Sequence, residues 1–390
     1  MNLSQALHVI IRTHLGALRV GKRPSAVELR SAPGLGKSAG VGQACARTAH
    51  ELGEPFGLIT CMATTITSPD VRGFMLPAQG TEGRAMDTIF STPPWYPTRE
   101  NTVVYTPDGG VHLKGTWKGP MPRVGIVFLD EFGQGEEDVI KPMAELLLHG
   151  EVGNTQLPIG WRVVAASNRM KDRSGVKRPM MFIVNRRMEI NVDSDMTTFI
   201  TYQQGLPKDK RLHHMTLSFA QAHPSVVFTD GVPDGGEQFC TPRSLTLMDA
   251  DLRSLQSPAE AAADKLPTDS ISRECVKGWI GEAACAQFFV HLKYADELPT
   301  IDSIMLDPAK AKLPATKDAQ MVVGYMLADK IDETNADHVM RYVKRMMMEM
   351  QVLTVRAAKA KPEASASLSM SEEFNAWLRA HSDVLLASRA

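Results

Sequence analysis

The chain has 390 residues, which at roughly 100–200 residues per domain predicts two or three structural units. Hydrophobic residues make up 43% and charged residues 22%, a composition that excludes a disordered chain. Lys plus Arg (43) nearly balances Asp plus Glu (44), and the formal charge of -1 gives no global attraction to nucleic acid or an anionic membrane, although a local basic groove stays open.

Five cysteines (Cys45, Cys61, Cys240, Cys275, Cys285), odd in number and without a CxxC pair, argue against a disulfide framework or a zinc ribbon and fit a reducing cytoplasm. The first segment, Met1 to Val20, has helical apolar spacing broken by His8, Arg12 and His14, so it reads as a helix and not as a signal peptide. No apolar run reaches the length of about 18 residues needed to cross a bilayer, and a cytoplasmic protein without a membrane span is expected.

After a loop at Val20–Pro24, Ala26–Arg30 is a strand candidate that runs into a glycine turn. Lys37–Leu52 follows as a helix stopped by Gly53, and Phe56–Cys61 as a second strand, together a βαβ unit of a parallel sheet. Residues 68–122 are rich in Pro, Gly and Thr and read as an insertion, with a helical turn or two near Ala85–Phe90. Within it Thr102–Lys114 alternates around Asp108-Gly109, which predicts a protruding β-hairpin.

Val124–Leu129 is a nearly continuous apolar run, as in a central strand buried on both faces. Glu136–His149 reads as a helix, Trp161–Ser167 as another buried strand and Met188–Val192 as the last. Helical patterns then dominate, with Val339, Val343, Met346, Met347 and Met350 read as a core face. The expected domains are a nucleotide-binding α/β domain at 1–194 with its insertion at 68–122, a helical lid and extension at 195–356, a linker at 357–370 and a C-terminal helix at 371–390.

Three motifs carry chemistry. Ser31-Ala32-Pro33-Gly34-Leu35-Gly36-Lys37-Ser38 lies between a strand and a helix, the context of a P-loop. Pro33, Gly34, Leu35 and Gly36 would wrap phosphates with backbone N–H groups, Lys37 would reach the outer phosphates, and Ser38 would hold Mg²⁺. Ser31 stands where the motif has its first glycine. The apolar strand ending in Asp130-Glu131 has the form of a Walker B site, with Asp130 toward Mg²⁺ and Glu131 as acceptor of a proton from attacking water. Asn168, at the end of the next buried strand, either positions that water or caps a turn.

The motifs, followed by Arg186 and Arg187 before the last strand and by Pro242-Arg243 at a later helix, occur in the order of an AAA+ module. Within that superfamily the chain resembles the MoxR-type ATPases. The resemblance rests on Thr67-Ser68-Pro69-Asp70-Val71-Arg72-Gly73, on Lys118-Gly119-Pro120, and on Asp130 through Glu151 with Leu146-Leu147 and Gly150; it covers Leu3 to Leu255. It implies a parallel five-stranded sheet of order 5-1-4-3-2, a helical lid, and ATP bound between subunits of a ring, usually hexameric. It further implies Arg186, or else Arg187, as a finger that reaches a neighbour's γ-phosphate, and Arg243 as a second sensor in the lid.

The resemblance implies chaperone-like remodelling of a protein partner, often one with a von Willebrand factor A domain. The alternative is a nucleic-acid motor or the NTPase subunit of a restriction-like or phage system. Arg169, Lys171, Arg173, Lys177 and Arg178 form a basic stretch that is either a solvated loop or a contact to nucleic acid or a neighbouring subunit. Phe74, Met75, Trp95 and Tyr96 either grip a polypeptide or pack the insertion onto the sheet. His213, His214 and His223 have no ligand partners at metal-binding spacing.

Overall fold

The computed structural model describes residues 1–79, 86–169, 184–193, 195–207, 209–228, 237–293 and 298–381. They form two compact units, which divide between Asp195 and Met196.

The first unit is a sheet covered by helices. Helix α1 (Leu3–Arg19) opens with a capping box in which Asn2 Oδ1 accepts from the Gln5 amide (2.9 Å) and Gln5 Oε1 from the Asn2 amide (3.1 Å). Its apolar stripe of Leu7, Ile10, Ile11 and Leu15 packs with Val41, Ala44 and Cys45 of α2 (Lys37–Leu52) against β1 (Val27–Ser31) and the middle of the sheet. Gly53, at φ +70°, ends α2 in the left-handed conformation that favours glycine.

β2 (Phe56–Met62) leads into the insertion: α3 (Ser68–Arg72), a hairpin of β3 (Met75–Gln79) and β4 (Met86–Phe90), and a second hairpin of β5 (Val103–Tyr105) and β6 (Val111–His112). The buried strand β7 (Val124–Asp130) is followed by α4 (Glu137–His149), the short ribbon β8 (Glu151–Val152) and β9 (Thr155–Gln156), then β10 (Gly160–Asn168) and β11 (Met188–Asn191).

The main sheet has seven strands in the order β11-β1-β10-β7-β2-β5-β6. The expectation of five strands is therefore corrected. Five strands pair in parallel, and their sequence order across the sheet is fifth, first, fourth, third, second; β5 and β6 are added antiparallel beyond β2. The hairpin expected to protrude at Asp108-Gly109 instead extends the sheet: Val104 is fully buried, and β5 pairs with the β2 edge, whose N–H and C=O groups would otherwise face solvent. Met86–Phe90, expected as a helical turn, is a strand paired with β3.

One aromatic ring sets the spacing of three strands. Trp161 lies beside Gly125, which lies beside Gly57, and a β-carbon on either glycine would fall within 2.7 Å of the indole. Glycine is required there by close approach, and the tryptophan fills the space that two side chains would occupy.

The second unit is helical: α5 (Met196–Gln204), α6 (His214–Ala222), α7 (Pro224–Val227), α8 (Pro242–Ser254), α9 (Pro258–Ala262), α10 (Ser270–Ile280), α11 (Glu282–Leu292), α12 (Ile301–Leu306), α13 (Lys317–Lys330), α14 (Ala336–Val343), α15 (Met348–Lys359), α16 (Pro362–Met370) and α17 (Glu372–Ala380). Val339, Val343, Met346 and Met350 are buried in its core, whereas Met347 is exposed at the break between α14 and α15. Residues 357–370, expected as a linker, are helical except for a break at Ala360 and Lys361 between α15 and α16. Pro362 occupies the first turn of α16, where a missing N–H does no harm, and the small residues Ala357, Ala358 and Ala364 pack in the core with Leu368. The expected C-terminal helix is seen over α17, and its remainder lies outside the described residues.

Candidate functional site

β1 ends at Ser31, and the chain turns through Ala32–Gly36 to enter α2 at Lys37. Gly34 and Gly36 sit at φ +75° and +78°, so both positions favour a residue without a β-carbon. The N-terminus of a 16-residue helix thus opens onto the loop and brings its N–H groups and positive dipole end with it.

Lys37 is buried, and an ammonium there needs oxygen partners to replace water. It has them: Nζ donates to Ser31 Oγ (2.9 Å), Asn168 Oδ1 (2.9 Å) and the Ala32 carbonyl (3.3 Å). Ser31, the departure from the P-loop pattern, is fully buried and serves the lysine directly. Asn168 pairs with Ser31 in the parallel register of β1 and β10, which is how the strand end delivers the amide to the loop. With its oxygen toward Lys37, the amide keeps its NH₂ as a donor.

From the adjacent strand, β7 presents Asp130, whose Oδ2 accepts from Ser38 Oγ at 2.6 Å and whose Oδ1 accepts from the Glu131 amide at 3.0 Å. Glu131 has φ +54° and ψ +31°; with Asp264 it is one of two non-glycine residues at positive φ among the described residues. A β-carbon in that region is unfavourable by about 1–2 kcal/mol, and such strain clusters at functional sites. The turn aims the carboxylate at Thr64, whose Oγ1 donates to Glu131 Oε2 at 2.8 Å. Thr64 is absent from the sequence-based site. Its only signal is a hydroxyl just past the end of β2, and hydroxyls are common in turns.

Lys37, Ser38, Asp130, Glu131 and Asn168 are thus brought to one end of three neighbouring strands, with Pro33, Gly34, Leu35 and Gly36 partly exposed in the loop beside them. The donor set fits a nucleotide with its cation. A lysine and a helix N-terminus suit phosphate, and a serine hydroxyl paired with a carboxylate supplies the hard oxygens that Mg²⁺ takes.

The arginines fall elsewhere. Arg186 is partly exposed in the turn before β11. The side chain of Arg187, the alternative finger, is 1% exposed and its Nε is ion-paired with Glu28 Oε2. Arg243 belongs to the second unit and is exposed in the first turn of α8, whose N-cap is Thr241. Of the two readings of Trp95 its surroundings fit packing, because it is fully buried and its indole N–H donates to the Val71 carbonyl at 2.7 Å. Phe74 and Met75 remain exposed at the start of the β3–β4 hairpin. Of the basic stretch, Lys171, Arg173, Lys177 and Arg178 lie outside the described residues.

In the second unit Asp264 comes within reach of His213 and His214, a grouping their spacing in sequence does not show. The hydrogen bonds make it a cap. His213 Nδ1 accepts from the Met215 amide at the start of α6, so its proton sits on Nε2, 3.2 Å from Asp264 Oδ1. That proton fills the lone pair a metal would need, and Lys330 Nζ occupies Oδ2 at 3.1 Å. Burial beside His213 pushes the pKa of His214 well below its usual value, and the His213 hydrogen bond pulls that of Asp264 down.

No protein-family model matches the chain, and no curated protein matches its sequence. Among solved structures it is similar to the ORC2 protein of Aeropyrum pernix, determined as ADPNP–ADP complexes, at 12% identity and a TM-score of 0.39 over 97% of this chain and 85% of that one.

Proposed function

We propose that the chain binds and hydrolyses ATP as an AAA+ ATPase of the MoxR type, working as a ring, usually hexameric in that family, that remodels a protein partner. The observation that supports the reading is the convergence of Lys37, the Ser38–Asp130 pair, Glu131 and Asn168 on one glycine loop at a helix N-terminus. Each of these residues offers something that phosphoryl transfer to water requires, and catalysis of that reaction is almost entirely positioning and charge stabilisation.

Backbone N–H groups of the loop and the Lys37 ammonium bind the phosphates. Ser38 and Asp130 would hold Mg²⁺, which when bound neutralises charge on the phosphate oxygens. Glu131 accepts the proton of the attacking water, and Asn168 directs that water with its NH₂. The Thr64 hydrogen bond draws the Glu131 carboxylate to one side, so the base is fully available only once that bond is released or shared with the water. Arg186 comes from the adjacent subunit to meet the γ-phosphate, and Arg243 acts from the lid. Phe74 and Met75, exposed on the insertion, are the surface this reading assigns to the partner polypeptide.

Lys37→Ala tests the assignment. It removes the charge facing the outer phosphates and should abolish tight ATP binding in a direct titration, while circular dichroism stays unchanged. Micromolar affinity retained by the folded variant would overturn the P-loop reading.

A further inference from the structure

β1 carries a buried acid where its neighbours Val27 and Leu29 are apolar. Glu28 is 1% exposed, and both of its oxygens are engaged. Oε1 accepts from Ser167 Oγ at 2.6 Å and lies 3.3 Å from Arg30 Nε, while Oε2 is ion-paired with Arg187 Nε. Ser167 Oγ in turn accepts from the Gly133 amide at 3.0 Å. Glu189 completes the charge balance, 3.3 Å from Arg30 Nη1 and 3.8 Å from Arg187 Nη2.

A buried ion pair adds little stability over apolar side chains of similar size, so a glutamate on a core strand needs another reason. Its partners supply one. Gly133 lies two residues past Glu131, Ser167 immediately precedes Asn168, and Arg187 immediately follows Arg186. A single carboxylate is therefore bonded, directly or through one hydroxyl, to the three segments that carry the proton acceptor, the water-directing amide and the finger.

Resting on the ATPase reading, we infer that Glu28 is a positioning residue that couples the Glu131 loop of one active site to the arginine the same subunit offers to the next. A shift of the loop when the γ-phosphate is lost pulls on Ser167. Through Glu28 that pull reaches Arg187 and displaces Arg186. The chain Gly133–Ser167–Glu28–Arg187 transmits as a unit because every link is a direct hydrogen bond or ion pair and its two central side chains, Ser167 and Glu28, are buried, where the low local dielectric strengthens each bond.

The test is a double-mutant cycle on steady-state ATP hydrolysis. Ser167→Ala cuts the loop end, and Arg187→Met cuts the finger end while leaving Glu28 paired with Arg30. Each should lower kcat by about tenfold, as for a small misplacement of reacting groups, with KM for ATP within about twofold of wild type. The double variant should be no slower than the slower single one, because a chain cut once transmits nothing more to lose. Glu28→Gln keeps an acceptor for Ser167 but removes the charge from Arg187, so it should match Arg187→Met. It replaces that variant in the cycle if Arg187→Met does not fold. Losses that multiply to about a hundredfold, single variants with wild-type kcat, or KM rising in step with falling kcat would each overturn the coupling. A folded wild-type protein that hydrolyses no ATP would instead overturn the ATPase reading itself, and the inference with it.

Discussion

Glu131 offers a test in which two variants that lose activity alike differ in stability. Its backbone lies at φ +54°, where a residue with a β-carbon is unfavourable by about 1–2 kcal/mol relative to glycine. Glycine normally loses about 0.5–1 kcal/mol more conformational freedom than alanine on folding. At this position the first effect outweighs the second, and Glu131→Gly should be more stable than Glu131→Ala by about 0.5–1 kcal/mol. Both variants delete the carboxylate and its Thr64 hydrogen bond, so those losses cancel in the comparison. Urea denaturation without nucleotide should resolve the difference as a midpoint about 0.2–0.5 M higher for the glycine variant. Both should still bind ATP yet hydrolyse it at least roughly a hundredfold more slowly, as when a general base is lost. An alanine variant as stable as the glycine one would refute the strained turn, and wild-type turnover by either would place the base elsewhere.

Arg186→Ala should bind ATP but lose about 10³-fold or more in hydrolysis, and mixing it with Glu131→Gln under subunit exchange should restore activity at interfaces that join the two intact residues. Full activity of Arg186→Ala alone would remove the finger assignment. His14 gives a pH dependence: burial first and Arg162 second push its pKa from 6.5 to about 3, so it stays neutral in the fold and takes up a proton on unfolding. Its contribution is complete above about pH 6.5 and is lost as the pH falls toward 3. Between pH 7 and pH 5 this amounts to about 2 kcal/mol, which His14→Gln should abolish in chemical denaturation. Equal pH slopes for wild type and variant would refute it.

How much of this could be read in advance depended on how local the cause was. The runs Val124–Leu129 and Trp161–Ser167 are buried on both faces, so their composition alone marks them as central strands, and they appear in place as β7 and β10. The glycine that stops α2 and the Asp-Gly turn between β5 and β6 act within a few residues of themselves. What the β5–β6 hairpin pairs with is not local. Its alternation is satisfied equally by a free ribbon or by a sheet edge, and the open edge of β2 decided between them. Residues 357–370 misled for a related reason: alanine and serine suit a flexible linker, yet they also pack closely between helices.

The site divides along the same line. Lys37, Ser38, Asp130 and Asn168 were legible because each ends or begins an element whose periodicity places it. Thr64 and Glu28 were not. A threonine past a strand end acquires its role only when β7 arrives with Glu131, and a glutamate on an apolar strand looks like an error of assignment until Ser167 and Arg187 come from distant parts of the chain to pair with it. The same contacts separate two residues that the motif could not tell apart. Arg186 and Arg187 are chemically identical neighbours, but the Glu28 carboxylate holds the Arg187 side chain at 1% exposure while Arg186 is partly exposed in the turn before β11, so Arg186→Ala is the variant to make first.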